Sequence, residues 1–299
     1  LMAQTSRIYN LYNLLFLTDL NLEKYFAIPQ VAKAENQITV IEKNIEFKFL
    51  EIPTKKFDVY SSKNYAEIYK ENVGLFVVED GSKIYYQKSK NVNDPNFMAF
   101  TFSSVISYLL YQRDCLVIHA SALEFDTNSF FFSGRSGVGK SFIANNLLEE
   151  ANFLTEDICC FQLCNDTLTI APSLPFIKLD KDSFKLQHTI NFNTQTDARK
   201  RNIFVLDNHK ENNNIFKGGF FLKIGKKNYI KKLEKVEAFK SIFANSFLHH
   251  PLNINIAEEK DLVSKISALV KIGSFYEIQR KENDNFNILE IQKVIQELS

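Results

Sequence analysis

The run Gly134-Arg135-Ser136-Gly137-Val138-Gly139-Lys140-Ser141 sets three of the chain's nine glycines within six positions. It fits the spacing G-x-x-x-x-G-K-[ST] in full, and that spacing demands a strand, a tight loop and a helix in succession. Glycine accepts backbone conformations that side chains resist, so the amide N–H groups of such a loop converge on one point. The flanks agree with this. Ser129-Phe130-Phe131-Phe132-Ser133 reads as a short buried strand, and Ser141 to Glu150 reads as a helix whose N-terminus faces the hollow. The group this arrangement suits is a phosphate chain. Backbone amides from Gly134 to Ser141 would hold its oxygens, Lys140 would reach the terminal phosphates, and the Ser141 hydroxyl would ligate Mg²⁺. A nucleoside triphosphate, ATP or another NTP, is therefore the expected ligand.

A chain of 299 residues suits two domains or one large one. The pattern divides near residue 112, giving an expected small α/β N-terminal domain over 1–112 and a loop-bearing domain over 113–299. A hydrophobic share of 45% with 24% charged residues describes an ordinary globular protein. No apolar run approaches the ~20 residues that span a bilayer. The first residues lack a charged segment followed by an apolar one, so no secretory signal is expected. A cytoplasmic protein without membrane contacts follows as the default. The net charge of +1 gives no ground to expect nucleic acid. Cys115, Cys159, Cys160 and Cys164 lack the spacing of a disulfide framework or zinc site. Adjacent strand residues point to opposite faces, so Cys159 and Cys160 read as buried, reduced thiols. A homo-oligomer is left open.

Helical spacing of Ile8, Leu11, Leu14, Leu15 and Leu17 predicts an amphipathic lead-in within residues 1–35. Strands are expected at 38–41, 45–49, 73–78 and 83–86, with a hairpin turn at Glu79-Asp80-Gly81-Ser82, then a helix from Phe97 to Gln112. Further strands are expected at 115–120, 123–125, 158–163, 168–171 and 176–179. Antiparallel hairpins, not alternating β-α-β units, thus follow the loop's helix. Helices at 236–245, 261–270 and 287–298 and a strand at 275–278 complete the chain, with polar loops at 187–201 and 207–214.

Four stretches in order carry a resemblance: Leu116-Val117-Ile118-His119-Ala120-Ser121-Ala122, the loop Gly134 to Ser141, Leu154-Thr155-Glu156-Asp157, and Pro172-Ser173-Leu174-Pro175-Phe176-Ile177-Lys178-Leu179. From about Cys115 onward the chain resembles the compact relatives of the HPr kinase/phosphorylase catalytic domain, including peptide serine kinases of the lasso-peptide precursor type. The resemblance implies an α/β phosphate-loop kinase core related to phosphoenolpyruvate carboxykinase. It implies transfer of phosphate from ATP to a serine or threonine hydroxyl of a peptide or protein. Asp157 matches the family's second acidic residue and would be the base. Glu156 would help Ser141 hold the metal, although the family more often has Asp there. His119 matches a family histidine beside the catalytic carboxylate, where an imidazole orients and tunes it. The basic, glycine-rich signature of the full-length enzymes has no counterpart here, which speaks against a reverse phosphorylase reaction and against HPr as substrate.

Other signals keep plainer alternatives. Ile203-Phe204-Val205-Leu206-Asp207 has the form of a Walker B strand, and Asp207 would serve the metal in a P-loop ATPase, a GTPase switch or a non-catalytic nucleotide sensor. His119 also fits a hydrogen-bonded core histidine, and Glu156 and Asp157 also fit solvated loop charges. Arg199-Lys200-Arg201 fits either a nucleotide contact or a solvated turn. The lysines around Tyr229-Ile230 read as flanks of an edge strand, and His249-His250 as a helix cap rather than a metal site.

Overall fold

Phe130 and Phe132 point into one core and Phe131 into another, because successive strand residues face opposite sides of a sheet. In this computed structural model the strand is covered by helices on both faces, which is why it is apolar throughout. The structure describes residues 6–32, 37–51, 55–164, 167–179, 189–190, 202–206, 214–247 and 256–299.

The N-terminal part comprises β1 (Arg7–Leu11), β2 (Leu14–Thr18), α1 (Leu22–Phe26), β3 (Ile38–Glu42), β4 (Phe57–Ser61), β5 (Tyr65–Lys70), β6 (Gly74–Glu79) and β7 (Lys83–Lys88). These strands form one seven-stranded sheet in the order β1-β2-β3-β7-β6-β5-β4. Helices α2 (Asp94–Phe100) and α3 (Ile106–Gln112) follow, joined through a π turn at Thr101–Val105. The expected helical lead-in is a β-hairpin instead. Tyr12 and Asn13 both take positive φ, 54° and 56°, and reverse the chain between β1 and β2. Residues 45–49 form no strand either, because the buried Glu67 carboxylate takes up the local amides. It accepts from the N–H groups of Lys48, Phe49 and Leu50 at 2.5, 3.0 and 2.8 Å.

The second part runs β8 (Leu116–Phe125), β9 (Asn128–Gly134), α4 (Lys140–Leu147), β10 (Asn152–Thr155), β11 (Ile158–Cys164), β12 (Thr167–Ile170), β13 (Phe176–Leu179), β14 (Thr189–Ile190) and β15 (Asn202–Leu206). It ends with β16 (Ile215–Gly225), β17 (Tyr229–Lys232), α5 (Lys235–Asn245), α6 (Ile256–Ile272), β18 (Ser274–Lys281) and α7 (Ile288–Leu298). The central sheet has the order β12-β11-β8-β9-β16-β18-β17, with β10 also paired to β8. Ile143 and Leu147 of α4 join Ile291 and Ile295 of α7 on one face. Ile242 of α5 and Ile266 of α6 cover the other. The fold is mixed α/β. Antiparallel pairs do follow α4, as the sequence order suggests, yet β16 lies parallel to both β9 and β18. At Gly219 of β16 a Cβ would come within 2.3 Å of the Phe131 ring, so only glycine lets that ring pack across the strand.

A small sheet, β13-β15-β14, lies between the two parts. Ile177 and Phe204 face the core under α4, while Phe176 and Val205 join the N-terminal core. That N-terminal core also takes in Val117 and Ile158, so its apolar contacts cross residue 112. Cys159 and Cys160 enter different cores, as strand alternation requires. Asp207, Arg199 to Arg201 and His249-His250 lie outside the described residues.

Candidate functional site

Strand β9 ends at Gly134 and helix α4 begins at Lys140, so the loop between them is fixed at both ends. Gly134, Gly137 and Gly139 have φ of +150°, +83° and +118°. A Cβ at Gly134 would lie 2.7 Å from the Leu222 carbonyl oxygen on β16, and one at Gly139 would lie 3.1 Å from the Phe286 ring. Val138 packs into the core under α4 and its amide donates to the Arg135 carbonyl at 3.2 Å, while Arg135 and Ser136 are exposed. Lys140 is only 7% exposed and folds back so that Nζ donates to the Gly134 carbonyl at 3.0 Å. The loop is thus a closed ring of backbone with a buried ammonium at its neck, a geometry suited to an anion.

Glu156 and Asp157 form the two-residue turn between β10 and β11. Asp157 takes a φ of +66°, a left-handed conformation that Asp tolerates better than most residues. The turn is tied down by Thr155 Oγ1 donating to the Ile158 carbonyl at 2.7 Å. Its Asp157 carbonyl accepts from the Ala120 amide at 3.2 Å, next to His119. Glu156 is buried, at 2% exposed, and accepts hydrogen bonds from the hydroxyls of Ser141 and Ser121, the latter at 2.8 Å. Burial and the neighbouring Asp157 charge push its carboxyl up to about 7, against the pull of the two hydroxyls and Lys178. Asp157 goes the other way. Burial alone would raise it, but the charges of Lys178, His119 and Lys140 outweigh that and hold it well below the usual carboxylate range. The Lys178 Nζ to Asp157 Oδ2 distance is 2.9 Å, and the two side chains are 13% and 26% exposed.

His119, Lys140, Ser141, Asp157 and the loop from Ser136 to Gly139 line one cleft of about 430 Å³. Ser141 links that cleft to Glu156 through its hydroxyl. The described site residues named from the sequence are therefore brought together in or beside this cleft. Three features were not assigned a role there. Ser121 holds the second oxygen of Glu156, Lys178 pairs with Asp157, and the segment Arg280 to Phe286 forms the wall opposite β13. A lysine inside the apolar run Phe176-Ile177-Lys178-Leu179 was the available signal for Lys178. Nothing local marked the wall, which depends on β18 lying two strands from β9.

Ser141 and Glu156 offer hydroxyl and carboxylate oxygens, the hard donors that Mg²⁺ prefers, and they already share a hydrogen bond. No family model matches the chain, and no curated protein does. Among solved structures, the Hpr(Ser) kinase/phosphatase from Coxiella burnetii is similar over 60% of this chain and 94% of its own, at 11% identity and a TM-score of 0.29. Among the described residues no helix is long and apolar enough to cross a membrane.

Proposed function

We propose that the chain is a kinase that uses ATP, or another NTP, with Mg²⁺ to phosphorylate a serine or threonine hydroxyl of a peptide or protein. One observation carries this: a phosphate-type loop and an ionised, partly exposed carboxylate, Asp157, line the same cleft. Backbone amides of Gly134 to Ser141 and the Lys140 ammonium hold the phosphates. Ser141 and Glu156 hold the metal, which when bound supplies positive charge to the phosphate oxygens. The two-part division at residues 112/113 belongs to the same proposal, with the N-terminal part helping to present the acceptor.

In the transfer step the acceptor oxygen forms a bond to the γ-phosphorus as the bond to the β-bridging oxygen breaks, leaving the nucleoside diphosphate. The hydroxyl proton passes to Asp157. A carboxylate held at low pKa is a weak base, yet a loose phosphoryl-transfer transition state asks mainly for orientation of the hydroxyl. Lys178 and His119 offset the repulsion between Asp157 and the incoming phosphates. Glu156 already occupies the place beside Ser141 that a Walker B carboxylate would take, which weighs against the Asp207 alternative.

The test is incubation with γ-labelled ATP, Mg²⁺ and a library of serine- and threonine-containing peptides. Acid-stable label on a peptide hydroxyl, lost in Asp157→Asn with nucleotide binding retained, is the expected result. Free phosphate alone would make the protein a nucleotide hydrolase, and binding without turnover would make it a sensor.

A further inference from the structure

The cleft is electrostatically lopsided. On one side stand His119, Lys140 and Lys178 around Asp157; on the other, the end of β18 and the segment after it contribute Arg280, whose guanidinium is taken up by backbone carbonyls, and Glu282, Asn283, Asp284 and Asn285. Two carboxylates repel phosphate, so this second wall does not suit the triphosphate itself. It suits a neutral, hydrogen-bonding group attached to one end of it.

That wall is built and held. The Arg280 Nη1 donates to the carbonyls of Lys281, Glu282 and Asp284 at 3.0, 2.7 and 3.1 Å, closing the turn. Its guanidinium lies 5.4 Å from the centre of the Phe286 ring, and Phe286 in turn abuts Gly139 of the phosphate loop. Asn228 accepts from the Lys281 amide at 2.7 Å and donates to Asp284 at 2.8 Å, pinning the turn from the other side. Glu282, Asn283 and Asn285 are exposed and line the cleft, and the Glu282 carbonyl is the one taken up by Arg280. Their backbone is held by its neighbours, and all three residues line the cleft. Phe142, half-buried on the first turn of α4, adds an aromatic edge to the same end.

We propose that the turn Glu282–Asn285, stapled by Arg280 against Phe286, is the nucleoside subsite of the cleft. Glu282 would accept from ribose hydroxyls, as carboxylates do in dinucleotide sites, and the Asn283 and Asn285 amides would meet the edge of the base, each offering a donor and an acceptor. The proposal rests on the nucleotide-binding reading of the phosphate loop and extends it to the part of the ligand that distinguishes a nucleotide from a bare phosphate chain.

The experiment compares binding of Mg·ATP and Mg·tripolyphosphate by titration calorimetry. The readout is the ratio of their affinities, which cancels any general change in surface charge. The full chain is expected to bind ATP more tightly than tripolyphosphate. Asn283→Ala/Asn285→Ala and, separately, Glu282→Ala are expected to lower that ratio about tenfold, the effect of losing one or two hydrogen bonds, with tripolyphosphate binding unchanged in the asparagine variant and no weaker in Glu282→Ala, which also removes a repelling charge. An unchanged ratio in both variants would overturn the proposal, as would wild-type binding of ATP no tighter than of tripolyphosphate. Equal loss of both ligands would mean that the turn merely supports the phosphate loop, and overturns it too. Binding of neither ligand by the unmodified chain would instead refute the phosphate-loop reading on which the proposal stands.

Discussion

Glu156 is a buried acid whose ionisation costs folding energy, and Glu156→Gln measures that cost. In the unfolded chain a glutamate loses its proton near 4.5; in the fold, burial and Asp157 raise that point to about 7. Above pH 4.5 the unfolded state releases the proton more readily, so stability falls with rising pH until Glu156 ionises near 7, and then levels off. At 1.36 kcal/mol per pH unit, the gap corresponds to about 3 kcal/mol at pH 8 and none at pH 4.5. Glutamine keeps the shape, and its amide bonds both Ser141 and Ser121 once one hydroxyl turns to accept. In the absence of nucleotide and Mg²⁺, the variant should therefore match the wild type at pH 4.5 and melt roughly 6–12 °C higher at pH 8, taking about 2–4 °C per kcal/mol for a large domain. Thermal melts followed by circular dichroism at pH 4.5, 6 and 8 read this directly. A difference independent of pH, or a variant less stable at pH 8, would refute the claim that Glu156 is held as a costly buried charge.

Three other outcomes follow from the same geometry. Lys178→Met removes the ammonium that does most to hold Asp157 down, so the acidic limb of kcat/KM against pH should move to higher pH and turnover should fall; an unmoved limb would detach Lys178 from the proposed base. Among Cys115, Cys159 and Cys160, peptide mapping after brief iodoacetamide treatment at pH 8 should find Cys115 modified first. Its hydrogen bond with Cys160 lowers its pKa despite burial, while Cys160 and the buried Cys159 are pushed well up. Phe131→Ala should cost about 3–5 kcal/mol and show as a large drop in melting temperature, since Phe131 is fully buried and packs against Phe161, Phe216, Phe221 and Phe275.

How much could be read from the residues depended on whether the cause was local. The phosphate loop was legible because its glycines answer to local conformation: positive φ and a backbone carbonyl 2.7 Å away leave no other choice at Gly134. The helix over 97–112 and those at 236–245 and 287–298 were legible through apolar spacing on one face. Strands β4 and β5 were not, because their tyrosines, lysines and glutamates give little alternation, and Glu67 is buried only to bind the amides of a distant segment. The β1–β2 hairpin was misread because apolar residues three and four apart occur on a hairpin as well as on a helix. The Tyr12-Asn13 turn decided between them. In the site, Glu156 and Asp157 were identified by resemblance. Their opposite electrostatic fates could not be foreseen, since these come from the burial of Glu156 beside the Asp157 charge and from Lys178, His119 and Lys140 around Asp157, which lie far apart in sequence.

The arrangement of strands also bears on which carboxylate serves the loop. A Walker B carboxylate follows a strand of the sheet that carries the phosphate loop. Here the strand ending at Leu206 belongs to the small sheet β13-β15-β14, whereas the neighbours of β9 are β8 and β16. Strand β16 ends in Gly225 rather than an acid. The acid that reaches Ser141 comes instead from the turn after β10, which pairs antiparallel to β8 and places Glu156 across from the loop. A two-residue turn then sets Asp157 one position further on, on the open side of the same cleft. The proposed metal ligand Glu156 and the proposed base Asp157 are thus adjacent in sequence but face different surroundings, one sealed between two hydroxyls and one open beside a lysine. If that division matters, exchanging the two side chains as Glu156→Asp/Asp157→Glu should abolish transfer although the charge is unchanged. Residual turnover within about tenfold of wild type would show that position, not carboxylate length and surroundings, is all the site requires.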